Sequence, residues 1–208
     1  MSDEFLSQFS TIEQRRNRVG DLMTQILQKK QSVQGIRNLI PINLEIGCGH
    51  GHWLTDYAQQ NQTSTFIGVD LITKRIEKAQ AKAAKRFLEN LFFLKVEANE
   101  FMEYLPSNFI IDQIYVMFPD PWPKNRHSKR RLIQHDFLQL LAKVSTQDSL
   151  LFFRSDHLPY VEWTREKIQQ SENWEIVDQQ LPLEHSSYFQ DLLPSYQSIV
   201  AHIIHNPS

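Results

Sequence analysis

The apolar positions Ile12, Val19, Leu22, Met23, Ile26 and Leu27 recur at mostly helical spacing over residues 11–30, and predict an N-terminal helix with Arg15, Arg16 and Arg18 near its start. Beyond residue 40 the pattern changes to short apolar runs separated by helical stretches. The runs at 42–46, 65–69, 91–96, 110–118 and 149–153 predict strands, and the stretches at 52–60, 72–88, 99–105, 129–144 and 159–171 predict helices. Strands that alternate with helices need crossover connections, which favour a parallel sheet covered on both faces. Two further runs, 174–181 and 195–204, have no helix of comparable length between them, so the sheet is expected to end in a hairpin that carries an antiparallel strand. The pattern therefore predicts a doubly wound α/β fold, with a mostly parallel seven-stranded sheet and an antiparallel C-terminal strand. Residues 1–40 are expected to form a helical extension and 41–208 the α/β domain; no repeat, low-complexity segment or long linker divides the chain.

Composition narrows the functional classes. A chain of 208 residues with 41% apolar content fills one sizeable core. Its 22 Lys and Arg nearly balance 24 Asp and Glu, so no bulk positive field draws in nucleic acid and any such affinity must come from local clusters. Cys48 is the single cysteine, which excludes an internal disulfide and fits a reducing compartment. The N-terminal stretch lacks the basic start and apolar core of a signal peptide, and no run reaches the length of a membrane span. A soluble, cytoplasmic protein without membrane association is expected.

Leu44-Glu45-Ile46-Gly47-Cys48-Gly49-His50-Gly51 places a Gly-x-Gly-x-Gly turn at the carboxyl end of the first predicted strand. Glycines there let the backbone turn sharply and approach a ligand in the crevice where such sheets bind nucleotides. The dinucleotide fingerprint is not met, because His52 stands where its third glycine belongs, which argues against NAD or FAD. Asp70 closes the second strand, where a carboxylate can accept hydrogen bonds from both ribose hydroxyls. Glu45, directly before the turn, suits a cationic or amino-bearing ligand and would repel a pyrophosphate; S-adenosylmethionine carries both a sulfonium and an ammonium. Without the strand placement and the two acids, the glycines would describe no more than a tight turn. Cys48 reads as a packing residue, and the His50/His52 pair, without further ligand-spaced residues, reads as loop, so no metal is expected. Glu97, Ala98 and Asn99 end the third strand, where polar atoms could pair with an adenine amino group; Glu97 could equally be an acid at a helix start, stabilised by the dipole.

The densest chemistry lies in Phe118-Pro119-Asp120-Pro121-Trp122-Pro123-Lys124-Asn125-Arg126-His127-Ser128-Lys129-Arg130-Arg131. Pro119, Pro121 and Pro123 enforce an extended, stiff loop that aims Asp120 into the cleft. Lys124, Arg126, Lys129, Arg130 and Arg131 follow at a density suited to phosphate contacts. Together they point to a reaction on a nucleobase. Guanine N7 carries no proton, so methylation there needs positioning rather than a general base, and Asp120 would orient the base and stabilise the cationic ring. If the acceptor were an exocyclic amine, Asp120 and a neighbouring carbonyl would hold its hydrogens. Trp122 could stack on a base or pack the loop.

This segment resembles the signature of the bacterial tRNA (guanine-N7-)-methyltransferase family, whose members have a Rossmann-like fold. Glu45-Ile46-Gly47-Cys48-Gly49-His50-Gly51 is similar to the family's cofactor loop, and Phe66-Ile67-Gly68-Val69-Asp70 to its second-strand acid. The resemblance implies methyl transfer from S-adenosylmethionine to N7 of a guanine in the tRNA variable loop, at position 46. It also implies that Glu45, Gly47, Gly49, Gly51, Asp70, Glu97, Ala98 and Asp120 serve the cofactor or the reaction. Asp120 is the expected catalytic residue, and Lys124, Arg126, Arg130, Asp156, Ser187 and Gln190 are the expected substrate contacts. The chain departs from the family pattern at two places. Glu97 stands where Asp or Asn is usual, and Ser187-Tyr188-Phe189-Gln190, with no glycine following, replaces a Thr-x-Phe/Tyr-Glu motif followed by glycine. Methylation of another nucleobase atom or RNA, or tRNA binding with weakened or lost catalysis, is the alternative.

Elsewhere, Lys74, Lys78, Lys82 and Lys85 recur at helical spacing with Arg75 and Arg86 beside them, as an RNA track or as an ordinary solvated face interrupted by Glu77 and Glu89. Arg15, Arg16 and Arg18 admit the same two readings. Asp156 follows the fifth strand and could bind guanine or cap the helix beginning near Pro159. His135, His185, His202 and His205 show no ligand spacing. Monomer and homodimer both remain open.

Overall fold

The computed structural model describes residues 3–31, 39–179 and 195–205. Helix α1 (Asp3–Gln31) buries Val19, Leu22, Met23 and Ile26, the i, i+3, i+4, i+7 set of one helical face. Then β1 (Ile40–Ile46), α2 (His52–Gln60), β2 (Phe66–Asp70), α3 (Thr73–Lys85), β3 (Leu91–Lys95), α4 (Ala98–Glu103) and β4 (Phe109–Met117) alternate. They are followed by α5 (His135–Lys143), β5 (Ser145–Ser155), α6 (Leu158–Gln169), β6 (Trp174–Val177) and β7 (Gln197–Ile203). The strands form one sheet in the order β3-β2-β1-β4-β5-β7-β6. β1 to β5 pair in parallel, whereas β7 runs antiparallel to both β5 and β6. The expected doubly wound sheet with an antiparallel C-terminal strand is what forms.

Helices α1, α4, α5 and α6 pack one face of the sheet, around Ile42, Leu44, Ile114, Val116 and Phe153. Helices α2 and α3 pack the other, around an aromatic group in which Tyr115 stacks on Phe152 with centroids 5.1 Å apart and meets Trp53 at 4.7 Å. Both faces being covered explains why β2 is buried at every position and reads as a continuous apolar run rather than an alternating one. Strand order reverses between β1 and β4, so the loops that follow these two strands part there and leave a crevice at their carboxyl ends.

One predicted element is different. A single helix over 129–144 does not form: Asn125–Arg130 is a short 3₁₀ segment and α5 begins only at His135. Between them Arg131 turns extended, with φ −61° and ψ 139°. The polar backbone of this break is taken up by α6, since the Ile133 N–H donates to the Tyr160 hydroxyl at 3.3 Å and Trp163 Nε1 donates to the Ile133 carbonyl at 2.8 Å. Those partners replace the helical ladder, and the apolar spacing of Leu132 and Ile133 gave no warning of it.

Candidate active site

The glycine turn forms because its backbone requires glycine. Gly47, Gly49 and Gly51 all sit at positive φ (75°, 54° and 65°), a region that carries a steric cost for side chains. The turn is tied to the second strand by Gly47 and Cys48, whose N–H groups donate to the Val69 carbonyl at 2.9 and 3.0 Å. Nothing lies within 4 Å of where a Cβ would stand on Gly47 or Gly49, so this backbone fronts open space. Gly51 differs: a Cβ there would come within 2.5 Å of the Phe93 ring and 2.9 Å of Ala79, so its smallness lets α2 start tightly against β3 and α3.

Asp70 holds the turn from the side. Its Oδ2 accepts from the Gly49 N–H at 3.1 Å and its Oδ1 from the Ile72 N–H at 2.8 Å, while Arg75 stands 3.5 Å from Oδ2. A carboxylate offers about four acceptor sites, so capacity remains for ribose hydroxyls. Glu45 is 4% exposed on the α2/α3 side of the sheet, and its Oε2 has no hydrogen-bond partner among the described residues. Burial, reinforced by the Asp70 charge, pushes its pKa up to about 8. Cys48 is buried beside it; burial first, then the Glu45 and Asp70 carboxylates, hold the thiol protonated, so it is no nucleophile.

Across the switch point, the loop after β4 carries two non-glycine residues in the left-handed region, Phe118 (φ 50°) and Trp122 (φ 46°), which bracket Asp120. Such conformations cost about 1–3 kcal/mol each and persist where the surroundings enforce them. Here the Phe118 N–H donates to the Arg154 carbonyl at 2.8 Å, and the Trp122 ring carries the Arg130 guanidinium 5.0 Å from its centroid, with His127 at its edge.

The two segments open into one cavity of ≈ 380 Å³. It is lined by Ile46, Gly47, Val69, Asp70, Glu97 and Ala98 at the carboxyl ends of β1, β2 and β3, and by Phe118, Pro119, Asp120, Trp122 and Arg130 after β4; Gly49 and Gly51 of the turn are not among its lining residues. Arg75, Leu71, Ile72 and Leu132 also line it, although sequence reasoning placed none of them there. By spacing Arg75 belongs with the helical cations; in the fold it turns toward Asp70 from the first turn of α3. Glu97 fills both of its expected places at once, bordering the cavity while its side chain accepts from the Glu100 N–H at 3.1 Å as the cap of α4.

Several expectations change. Arg131 belongs to the predicted phosphate cluster by sequence but points inward, 6% exposed, whereas Lys124, Arg126, Lys129 and Arg130 are exposed. Asp156 does not cap α6; His157 is the cap residue, with no side-chain hydrogen bond, and Asp156 is exposed beside the end of β5. At the C-terminal cap of α3 Arg86 is paired with Asp56, and within the helix Lys82 donates to the His50 carbonyl at 3.0 Å, so that its outward lysines are Lys74, Lys78 and Lys85. Arg15 pairs with Glu100, which removes it from the exposed N-terminal cluster. Sequence reasoning also missed Arg154, a buried cation at the end of β5 whose Nε donates to Ser198 at 3.0 Å and whose guanidinium lies 4.5 Å from the Tyr196 ring centroid. Ser187 and Gln190 lie outside the described residues. Among the described residues no group of three or more His, Cys, Asp and Glu could hold a metal ion, and no helix is long and apolar enough to cross a membrane.

Sheet order, glycine turn and acid-tipped second strand together define a Rossmann-like methyltransferase. A family model described as "Putative methyltransferase" matches residues 39–190. The chain is 33% identical over 159 residues to the tRNA (guanine-N(7)-)-methyltransferase of Lachnoclostridium phytofermentans, covering 76% of this chain and 73% of that protein. It is 35% identical over 158 residues to the enzyme of the same name from Mycoplasma genitalium, covering 74% and 75%. The fold is similar to that of the 16S rRNA methyltransferase KamB, with a TM-score of 0.59, 20% identity and coverage of 82% of this chain and 90% of that one. The chain belongs to the tRNA (guanine-N(7)-)-methyltransferase family.

Proposed function

We propose that this chain transfers a methyl group from S-adenosylmethionine to N7 of the guanine at position 46 of tRNA. The observation that carries the reading is the shared cavity, lined by Gly47 of the glycine turn, Asp70 and Glu97 together with Asp120, Trp122 and Arg130. The residues fit the donor. Open space in front of Gly47 and Gly49 admits a ligand against the backbone, and Glu45, two residues before Gly47, has an Oε2 without a partner among the described residues that would accept from a cationic or amino group. S-adenosylmethionine supplies an electrophilic methyl on its sulfonium when bound. Asp70 would take ribose hydroxyls on its spare acceptor sites, and Glu97 and Ala98 would border the adenine.

Asp120 would receive the acceptor base. Guanine N7 presents an in-plane lone pair without a proton, so no side chain has to remove one, and the rate rests on holding base and methyl in line. Asp120 accepts from the amino edge of guanine and faces the positive charge that develops on the ring. Lys124, Arg126 and Arg130 meet phosphate, and Asp156, with Ser187 and Gln190 from the chain beyond the described residues, completes the guanine contacts. On this reading the chain acts in the cytoplasm. The test is to incubate purified protein with unmodified tRNA and labelled S-adenosylmethionine, digest with nuclease and identify the modified nucleoside by mass spectrometry. 7-Methylguanosine at position 46 is expected; a different methylated nucleoside, or tRNA binding with no transfer, contradicts the proposal.

A further inference from the structure

Arg131 is the last of the five cations that follow the proline loop, and its surroundings differ from those of the other four. Its Nε donates to the Pro121 carbonyl at 3.0 Å and its Nη1 to the Pro159 carbonyl at 3.3 Å. The guanidinium lies 5.1 Å from the Tyr160 ring centroid and 5.2 Å from that of Trp163. No acid pairs with it among the described residues. A buried charge without a counter-ion is costly, so a position that needed only packing would favour an apolar side chain. What the guanidinium alone supplies is a planar fork that donates in two directions while it packs against two aromatic rings.

The two carbonyls belong to different loops. Pro121 follows Asp120 in the loop after β4, and Pro159 stands in the first turn of α6, immediately after the loop that carries Asp156. We infer that Arg131 is a positioning residue, not an RNA contact: it straps the Asp120 loop to the Asp156 loop and so fixes the carboxylates that face the base in one relation. The inference rests on the proposed methyl transfer for its catalytic consequence, but the strap itself is a property of the two loops. Misplacing a reacting group by about 1 Å can cost about 100-fold in rate, so the strap acts on turnover and leaves phosphate binding alone.

The test compares the full-length wild type with Arg131→Lys, which keeps the charge but loses the fork, and Arg131→Met, which keeps the bulk and loses the charge. The measurements are kcat, KM for tRNA, the salt dependence of tRNA binding, and amide hydrogen exchange. Both variants are expected to lose about 10- to 100-fold in kcat, with tRNA affinity within about twofold of wild type and an unaltered salt slope. Exchange should quicken in peptides over 118–123 and 155–160 while β4 and β5 stay protected. Weaker tRNA binding with a shallower salt slope and unchanged exchange would make Arg131 a phosphate contact and overturn the inference. Faster exchange throughout the sheet, or an unchanged kcat in Arg131→Lys, would overturn it as well. If the wild type transfers no methyl, the functional proposal fails, and the exchange measurement still decides whether the strap exists.

Discussion

At Glu45 the residue type does not follow from the fold. The strand position is buried, an apolar side chain would suit it, and instead a carboxyl sits there with its pKa pushed up to about 8. Because that folded value lies above the ordinary carboxylate range, the folded chain holds the proton more tightly than the unfolded one. The resulting contribution to stability is complete below the ordinary range and is lost as pH rises through about 8. Glu45→Gln should therefore flatten the pH dependence of ligand-free stability between about pH 5 and 8, and gain about 1–3 kcal/mol at the upper end, read as urea midpoints. Equal pH slopes for the two proteins would refute this. Asp120 is the opposite case, exposed and bracketed by the strained Phe118 and Trp122. Asp120→Ala should keep stability within about 0.5 kcal/mol and lower kcat at least about 100-fold; full activity in a folded variant would remove it from the reaction.

Among the elements, the glycine turn separates two roles that look identical in sequence. Gly51→Ala combines a left-handed backbone with a clash against Phe93 and Ala79, and should destabilise by about 3 kcal/mol. Gly49→Ala meets open space and should cost only about 1 kcal/mol, but its methyl projects before the turn and should weaken binding of S-adenosylhomocysteine in calorimetry. Equal destabilisation by the two would contradict the assignment. The strands and most helices could be read from the chain because their periodicities report directly on which face is buried, as Val19, Leu22, Met23 and Ile26 do. The break between Arg130 and His135 could not. Its apolar residues keep helical spacing, and the bonds that replace the ladder come from Tyr160 and Trp163, far along the chain. Of the two readings open for Asp156, the cap is excluded by one residue of offset, which makes His157 the cap and leaves the guanine contact.

Across the whole molecule, a near-neutral chain gathers exposed positive charge just after the loop that carries Asp120, and Arg130 of that cluster lines the cavity. The cluster after the proline loop was legible as a count of Lys and Arg, but a count has no direction, and only the folded chain separates the inward Arg131 from the outward Lys124, Arg126, Lys129 and Arg130. Lys124→Ala should weaken tRNA binding and reduce the slope of log affinity against log salt by about one; an unchanged slope would take Lys124 out of the phosphate-binding set. The convergence of Gly47 and Asp120 on one hollow is legible because both follow strands of the predicted parallel sheet and so open into the cleft at its carboxyl ends, whereas the contributions of Arg75, Leu71, Ile72 and Leu132 depend on side-chain directions that spacing does not encode.

Everything reduces to a lone pair on one purine nitrogen meeting a methyl in that hollow. The most direct measurement supplies the protein with two tRNAs that differ only at position 46, one with guanosine and one with 7-deazaguanosine, and follows label transfer from S-adenosylmethionine. Transfer to the guanosine tRNA and none to the 7-deaza tRNA is the predicted result; comparable labelling of both would place the reaction on another atom and contradict the account.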